Sequence, residues 1–292
     1  MQGKIVKGIG GFYYVHDGRG RVYECKARGI FRSRKIRPLV GDDVEFTVLD
    51  ETEALGSVEE ILPRRNELVR PAVANIDQAV LVFALKDPVP NFNLLDRFLI
   101  MMECQELPSV LVFNKEDLVG EDMETLCRNV YGAAEYPLLF ISARREQGVE
   151  RVREILRGKT TVLAGPSGVG KSSLLNALTH NQCMETGEVS ARIGRGRHTT
   201  RHSELFYLEE GTFLMDTPGF TSLEIFEKEA GQLQECYPEF AAYREACRFP
   251  DCVHVGERDC GVKTAVAEGK ISPVRYENYR QIYQEIRETK KY

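Results

Sequence analysis

A short glycine-rich run combines the residue types that bind phosphate. Residues 165–172 read Gly-Pro-Ser-Gly-Val-Gly-Lys-Ser and fit the pattern G-x-x-x-x-G-K-[ST]. In such a loop the backbone N–H groups surround phosphate, the lysine contacts the β- and γ-phosphates, and the serine hydroxyl ligates Mg²⁺. An apolar strand before the run and an apolar helix start after it are the context that the motif requires. The run therefore predicts a nucleoside triphosphate site that uses Lys171 and Ser172.

A second motif carries side chains that can read a guanine base. Residues 114–117 read Asn-Lys-Glu-Asp and follow a predicted strand, at the strand end where open α/β sheets bind ligands. A carboxylate at Asp117 can accept hydrogen bonds from guanine N1–H and N2–H₂, a donor pair that adenine lacks. We expect Lys115 to lie along the base, Asn114 to tie neighbouring loops together, and Ser142-Ala143, after the next strand, to offer a backbone N–H to guanine O6.

The order of these two motifs is reversed relative to ordinary GTPases, in which the phosphate loop comes first. Here residues 114–117 precede residues 165–172. The order predicts a GTPase sheet whose chain has been circularly permuted. Such a rearrangement is feasible where the usual termini lie close together at the surface.

A third motif, Asp-Thr-Pro-Gly at residues 216–219, follows another apolar strand. An acid at that strand end can hold Mg²⁺, here Asp216, and the Gly219 amide can sense the γ-phosphate. Many GTPases place a water-orienting glutamine directly after this motif, but this chain has Phe220. We therefore expect slow hydrolysis by the chain alone, with the catalytic group supplied from elsewhere.

His198 is the candidate for orienting the attacking water. It lies beside Thr199-Thr200 in a polar stretch without clear periodicity, residues 181–203. The alternative, that its histidines and arginines only contact RNA, carries equal weight. The arginines of this stretch fit either an internal arginine finger or RNA contacts.

A cluster near the C-terminus has the donor atoms of a metal site. Cys247, Cys252, His254 and Cys260 fall within 14 residues, and a Cys₃His set suits tetrahedral Zn²⁺. The spacing is not that of the common zinc fingers, so a group of buried cysteines near a histidine is the alternative. Cys236 lies outside the pattern and is not expected to bind the metal.

Composition indicates an ordinary soluble globular protein with segregated charge. The chain of 292 residues is 42% hydrophobic and 28% charged. It has no apolar run long enough for a membrane span and no signal-like start, so we expect a cytoplasmic protein with reduced cysteines. Residues 1–40 hold ten Lys/Arg and two acids, whereas residues 41–60 hold eight acids and no Lys/Arg. The basic stretch can attract phosphate backbones.

The elements that must carry these motifs fall into three regions. Residues 1–62 read as short strands separated by glycine-rich turns, which suits a small OB-type barrel, and the loop 29–37 mixes basic residues with Phe31 for phosphate contact and base stacking. From Ile76, apolar strands alternate with amphipathic helices, which predicts a parallel sheet covered on both faces. The chain finishes with two predicted helices, residues 262–268 and 275–290.

Taken together, these motifs resemble the RsgA (YjeQ) group of ribosome small-subunit biogenesis GTPases over essentially the whole chain. The resemblance implies a multi-domain α/β protein: an OB-fold RNA-binding domain at 1–66, a circularly permuted P-loop GTPase domain at 67–224, and a helical zinc-binding domain at 225–292. It implies GTP hydrolysis that is slow alone and stimulated by the small ribosomal subunit, binding to rRNA, and help with late subunit maturation. We further expect nucleotide state to control subunit binding and release, and the chain to be a monomer without a membrane partner.

The candidate residues follow from the motifs and the resemblance. Those for GTP are Asn114, Lys115, Glu116, Asp117, Ser142, Ala143, Gly165, Pro166, Ser167, Gly168, Val169, Gly170, Lys171, Ser172, Ser173 and Gly219. Those for Mg²⁺ are Ser172, Thr200 and Asp216, with Thr200 implied by the resemblance alone. Those for one structural Zn²⁺ per chain are Cys247, Cys252, His254 and Cys260. The catalytic candidates are Lys171 and His198.

Two other functions account for parts of the sequence. A P-loop kinase of small-molecule metabolism leaves residues 114–117, the barrel and the Cys/His cluster unexplained. An RNA-binding module that binds nucleotide without useful turnover is compatible with Phe220. Turnover measured with and without small subunits separates it from a GTPase.

Overall fold

The computed structural model describes residues 1–27, 31, 37–68, 72–179, 203–216 and 229–289. The chain forms two compact units and passes between them several times. The first comprises Met1–Val80, Glu146–Ala164 and Lys171–Thr221, and the second comprises Leu81–Arg145, Gly165–Gly170 and Ser222–Tyr292. The domain boundaries at 66 and 224 remain predictions.

The elements are named here in chain order. The strands are β1 (Gln2–Ile9), β2 (Phe12–His16), β3 (Val22–Ala27), β4 (Asp43–Asp50), β5 (Leu55–Ile61), β6 (Glu67–Leu68), β7 (Val73–Ala74), β8 (Gln78–Ala84), β9 (Ser109–Asn114), β10 (Leu138–Ile141), β11 (Thr160–Ala164), β12 (Glu204–Glu209) and β13 (Thr212–Asp216). The α-helices are α1 (Phe92–Glu103), α2 (Glu121–Tyr131), α3 (Val149–Leu156), α4 (Lys171–Thr179), α5 (Gly261–Ala267) and α6 (Pro273–Thr289). The 3₁₀ segments are Glu116–Leu118, Gly132–Ala134, Ala230–Cys236 and Pro238–Ala246.

The first unit contains a closed five-stranded barrel. Strand β1 pairs antiparallel with both β2 and β4, β2 pairs with β3, β3 runs parallel to β5, and β5 pairs with β4. Apolar side chains at alternate positions of these strands fill the interior, as the period of two predicts. They include Ile5, Val15, Tyr23, Val44, Phe46 and Val58. The OB-like barrel predicted from the sequence is confirmed.

The barrel continues into the strands that flank the phosphate loop. Lys7 of β1 pairs with Glu204 of β12, and the Lys7 ammonium lies 3.0 Å from the Glu204 carboxylate. Strand β12 pairs antiparallel with β13, which runs parallel to β11. The His16 ring stacks on Tyr207 of β12 at 4.2 Å. Within the first unit, one sheet therefore extends from the barrel to the strand that enters the phosphate loop.

The second unit contains the strands and helices around the Asn-Lys-Glu-Asp motif. Strands β9 and β10 are parallel, with Asn114 level with Ile141, and the Leu85 amide donates to the Asn114 carbonyl at 2.9 Å. The parallel pairing of β9 with β10, which α2 connects along the chain, confirms the predicted parallel arrangement for these strands. Among the described residues, no helix has the length and apolar character needed to span a membrane.

A buried charge network joins α1 to the C-terminal helices inside the second unit. The Arg275 guanidinium lies 2.6 Å from the Asp96 carboxylate and 2.7 Å from that of Glu239, and all three side chains are at most 2% exposed. Asn278 and the Tyr131 hydroxyl also donate to Asp96, at 2.7 and 2.9 Å. Each of these buried charges has an oppositely charged partner. The contact between α1 and the C-terminal helices therefore depends on paired charges as well as on apolar packing.

Candidate guanine nucleotide site and metal centre

Asn114 connects the two sequence motifs in the second unit. It ends β9 and is 3% exposed. Its Nδ2 donates to the carbonyl of Val169 in the phosphate loop at 2.8 Å, and its Oδ1 accepts from the backbone N–H of Ala143 at 2.9 Å. One carboxamide therefore holds the phosphate loop and the Ser142-Ala143 turn on either side of the Asn-Lys-Glu-Asp motif.

The phosphate loop approaches its neighbours too closely for side chains at two positions. Gly170 has φ +94°, and a Cβ there would lie 2.3 Å from Asn114 Nδ2. Gly165 has φ +145°, and a Cβ there would lie 2.1 Å from the Val82 carbonyl oxygen. Both the backbone conformation and the space require glycine. The remaining loop positions differ in exposure, since Val169 is buried, Pro166 is half-buried, and Ser167 and Gly168 are exposed.

Lys115 lies alongside the phosphate loop. Its backbone is left-handed, with φ +66°, which turns the chain sharply at the end of β9. Its Nζ donates to the Gly168 carbonyl at 2.9 Å and to the Asp87 carbonyl. The lysine thus binds two loops as well as carrying charge into the site. No sequence motif around Asp87 indicates that its carbonyl accepts a hydrogen bond from Lys115.

Asp117 has a basic partner that the sequence motifs did not identify. It lies with Glu116 in the 3₁₀ segment Glu116–Leu118, and its side chain is 8% exposed. The Arg145 Nε is 3.3 Å from Asp117 Oδ2, and the Arg145 side chain is 60% exposed. The Arg145 backbone N–H donates to the Ser142 carbonyl at 3.1 Å. One feature of the sequence could have indicated the ion pair between Arg145 and Asp117. Arg145 follows three residues after Ser142, where the Ser142-Ala143 turn begins.

The first unit carries the remaining described residues of the predicted site. Lys171, Ser172 and Ser173 form the first turn of α4, directly after Gly170 in the chain. Asp216 is the last residue of β13 and pairs with Leu163 of β11, so β13 ends level with the strand that leads into the phosphate loop.

Several predicted site residues lie outside the described residues. They are His198, Thr200 and Gly219, together with Phe220 and most of the loop 29–37. The Asp216 side chain also falls outside this description, although its backbone does not.

The four predicted metal ligands converge in the second unit. One ligand atom from each of Cys247, Cys252, His254 and Cys260 lies within 4.8 Å of all the others. His254 Nδ1 is 3.3–3.5 Å from the three sulfur atoms, and the Cys247 and Cys260 sulfurs are 3.9 Å apart. Zinc–sulfur bonds of about 2.3 Å in a tetrahedron separate the ligand atoms by roughly 3.5–3.8 Å. The cluster is therefore compatible with zinc.

Neighbouring groups hold the ligands in these positions. His254 Nε2–H donates to Gln234 Oε1 at 2.8 Å, which leaves Nδ1 facing the sulfurs. The Gly261 N–H donates to the Cys247 sulfur at 3.3 Å, and the Tyr276 hydroxyl donates to the His254 carbonyl at 2.7 Å. Gln234 is a functional residue that sequence reasoning missed, because it lies 20 residues from its partner and belongs to no motif.

Burial controls the proton affinity of the cluster. It raises the pKa of the Cys252 thiol to about 12 and also raises the pKa of Cys260. It lowers the pKa of His254, with Arg244 acting in the same direction. The imidazole is therefore neutral near pH 7 and able to ligate, whereas Cys252 and Cys260 need a cation to stabilise their thiolate forms.

Comparisons with known proteins show which family the chain resembles. The chain matches the RsgA N-terminal domain over residues 2–55 and the RsgA GTPase family over residues 61–226. It is 52% identical, over the full length of both chains, to the small ribosomal subunit biogenesis GTPase RsgA of Agathobacter rectalis.

Two solved structures also resemble it. YjeQ from Thermotoga maritima has a TM-score of 0.81, 38% identity and 98% coverage of both chains. YloQ, described as a circularly permuted GTPase, has a TM-score of 0.79 and 35% identity, covering 99% of this chain and 95% of its own. An OB-like barrel, a permuted GTPase region and a C-terminal Cys/His cluster therefore occur together here as the sequence predicted. The chain belongs to the RsgA GTPase family.

Proposed function

We propose that this protein is a GTPase that binds the small ribosomal subunit and assists its late maturation. It hydrolyses GTP to GDP and phosphate slowly by itself and faster on the subunit, and its nucleotide state controls binding and release. The observation that supports this most is the hydrogen bond from Asn114 to Val169, because it joins a guanine-reading motif to a phosphate loop. The name of the Agathobacter rectalis relative, a small ribosomal subunit biogenesis GTPase, supports the ribosomal role.

The base is read at the ends of β9 and β10. The Asp117 carboxylate accepts from guanine N1–H and N2–H₂, and the Ser142-Ala143 turn offers a backbone N–H to O6. Lys115 supports the base while bracing the phosphate loop through Gly168. Asn114 binds no base atom in this proposal and instead fixes the loops that do.

The triphosphate is bound by the glycine-rich loop and the start of α4. Lys171 neutralises the β- and γ-phosphates, and backbone N–H groups of the loop from Ser167 to Gly170 and of Ser172-Ser173 surround them. Ser172, Thr200 and Asp216 hold Mg²⁺, which neutralises charge on the phosphates when bound. The backbone N–H of Gly219 contacts the γ-phosphate and so senses whether it is present.

Hydrolysis needs a group that orients water, and His198 is the proposed one. Phe220 follows the Asp216–Gly219 motif and has no polar group for this role. Replacing His198 with alanine should abolish most of the subunit-stimulated rate and leave nucleotide affinity unchanged. An unchanged stimulated rate would assign the histidine to RNA contact instead.

The Cys/His cluster holds one structural Zn²⁺ per chain. Its function is to stabilise the fold of the C-terminal region. Cys252→Ser should reduce bound zinc from about one per chain to a small fraction and lower the unfolding temperature. Cys127→Ser, which alters another buried cysteine of the second unit, is the matched control and should keep its zinc. Equal metal content in the two variants would refute the assignment.

The barrel is the proposed rRNA-binding surface. Arg19, Arg21 and Lys26 are exposed on the hairpin of β2 and β3, and Lys26 lies 5.2 Å from the Phe12 ring. Exposed cations beside an aromatic ring suit contact with phosphates and bases. Binding to isolated small subunits should weaken steeply with added salt.

We propose that the protein acts in the cytoplasm as a monomer.

Turnover assays test the function directly. We expect GTP hydrolysis that rises at least tenfold when purified small subunits are added, with little ATP hydrolysis and no rise with large subunits. Lys171→Ala should lose the activity under all conditions. Tight GTP binding without stimulated turnover would favour the nucleotide-binding RNA module, and equal use of ATP would overturn the guanine assignment.

A further inference from the structure

Two cysteines outside the metal cluster meet at a contact between distant parts of the chain. The Cys104 and Cys236 sulfur atoms lie 3.9 Å apart, although 132 residues separate them in sequence. Cys104 directly follows α1, and Cys236 is the last residue of the 3₁₀ segment Ala230–Cys236. Both belong to the second unit.

Folded structure on both sides fixes this approach. The Cys104 backbone N–H donates to the Ile100 carbonyl at 2.9 Å, which continues the hydrogen bonding of α1. Ile100 shares a buried cluster with Leu233, Cys236 and Tyr237. The two sulfurs are therefore held by packed elements. A disulfide bond of about 2.05 Å requires the sulfurs to approach by roughly 2 Å, a movement that side-chain rotation can supply.

The two thiols differ in their access to solvent. Cys104 is exposed, whereas Cys236 is 1% exposed. An oxidant in solution can reach the first, and the second is positioned to attack the product before it is oxidised further. Cys25 and Cys127 are both buried, and burial raises the pKa of their thiols to about 11 and about 12, so neither offers an exposed thiol to an oxidant.

We propose that Cys104 and Cys236 form a reversible intramolecular disulfide when the protein meets a peroxide. The Cys104 thiolate attacks one peroxide oxygen, the O–O bond breaks, and a sulfenic acid forms as hydroxide leaves. The Cys236 thiolate then attacks the Cys104 sulfur, the S–O bond breaks, and the S–S bond forms as a second hydroxide leaves. The thiol protons convert both hydroxides to water, so two thiols lose two electrons and hydrogen peroxide becomes two waters. A dithiol reductant reverses the reaction.

The disulfide would tie α1 to the segment that supports the metal cluster. Gln234, two residues before Cys236, accepts the hydrogen bond from His254. A covalent link at Cys236 restricts separation of this segment from α1. Amide hydrogen exchange over residues 230–246 should therefore be slower in the oxidised protein than in the reduced protein.

The experiment oxidises the full zinc-loaded chain with graded hydrogen peroxide in a Cys183→Ser background, since Cys183 lies outside the described residues. Mass spectrometry of a non-reducing digest identifies the cross-linked peptides, and metal analysis follows zinc. We expect a Cys104–Cys236 peptide pair, a loss of two thiols per chain, retained zinc, a rate independent of protein concentration, and reversal by dithiothreitol.

Matched variants separate this reaction from general thiol oxidation. Cys104→Ser should abolish the cross-link and leave Cys236 reduced, whereas Cys127→Ser should oxidise like the parent. Because Cys104 is exposed, its variant should fold normally. Over-oxidation of Cys104 with Cys236 still reduced, cross-links between chains, or oxidation of the zinc ligands first would each overturn the proposal.

Discussion

The side-chain amide of Asn114 donates to the backbone carbonyl of Val169 across 55 residues of sequence, at 2.8 Å. A residue of the base-reading motif thereby fixes the backbone of the phosphate loop. The same side chain accepts from Ala143, so three loops depend on one buried group. The arrangement does not require the phosphate loop to come first in the chain, which explains how a permuted sequence can retain a guanine nucleotide site.

Replacing Gly170 with alanine should weaken GTP binding by about tenfold or more. Its Cβ would lie 2.3 Å from Asn114 Nδ2, at φ +94°, and strain of about 1–3 kcal/mol is typical for a side chain forced into such a conformation. Equilibrium binding of a fluorescent GTP analogue measures the effect. Gly120→Ala is the control, because Gly120 has φ −93° and open space where a Cβ would be. Equal affinities of the two variants would contradict the loop geometry.

The nucleotide motifs were predictable from sequence because each depends on local spacing. A glycine-rich turn between a strand and a helix, or four polar residues after a strand, is visible along the chain itself. The role of Asn114 in tying loops together was expected on the same basis. Arg145, Gln234 and Arg275 were not expected, because their partners are distant in sequence and only tertiary packing selects them.

The sequence predicts that the barrel and the metal cluster exist, but it does not predict the contacts that hold them in place. Alternating apolar residues and glycine turns indicated a small barrel, but not the pairing of Lys7 with Glu204 that joins it to β12. Spacing indicated a Cys₃His set, but not the support from Gln234 or Tyr276. Periodicity reports which face of an element is buried, and it does not report what covers that face.

Arg145→Ala should tighten GTP binding by about two- to fivefold at low salt, the range expected for an exposed ion pair. Arg145 Nε lies 3.3 Å from Asp117 Oδ2, an oxygen that the proposed function assigns to guanine, so removing the arginine should remove a competitor. The gain should shrink as salt screens the exposed arginine. Arg144→Ala removes the same charge one residue away and should change affinity less. Weaker binding in Arg145→Ala would show that the arginine supports the base instead.

Arg275→Met should destabilise the second unit by about 3–5 kcal/mol, because it leaves the buried carboxylates of Asp96 and Glu239 without their cation. Urea unfolding followed by hydrogen exchange in α6 measures the loss. Arg280→Met on the same helix breaks only an exposed pair with Glu277 and should cost less than about 1 kcal/mol. Similar losses in both variants would mean that the buried network contributes no special stability.

The first unit should lose stability as the pH falls below about 6.5, the ordinary pKa of histidine. Burial of His16 against Tyr207 lowers its pKa, and its neutral Nδ1 accepts from the Gly18 N–H at 3.0 Å. Because the folded pKa lies below the unfolded value, the stabilisation is complete above the unfolded pKa and is lost as the pH falls toward the folded pKa.

Thermal unfolding at pH 7.5 and pH 5.5 measures this dependence. His16→Gln keeps an acceptor but cannot titrate, so its unfolding temperature should fall less than that of the parent. A larger fall in the variant would contradict the assignment to His16.

The most direct test of a single guanine nucleotide site is the base preference of Asp117→Asn. With xanthine, the asparagine carbonyl can accept from N1–H and its amide N–H₂ can donate to the C2 carbonyl. With guanine, the same N–H₂ group faces the N2 amino group, so two donors oppose each other. We expect the variant to lose GTP binding and to gain binding of xanthosine triphosphate, still dependent on Lys171. A variant that kept its preference for GTP, or bound xanthosine triphosphate without needing Lys171, would show that residues 114–117 and the phosphate loop do not serve one nucleotide.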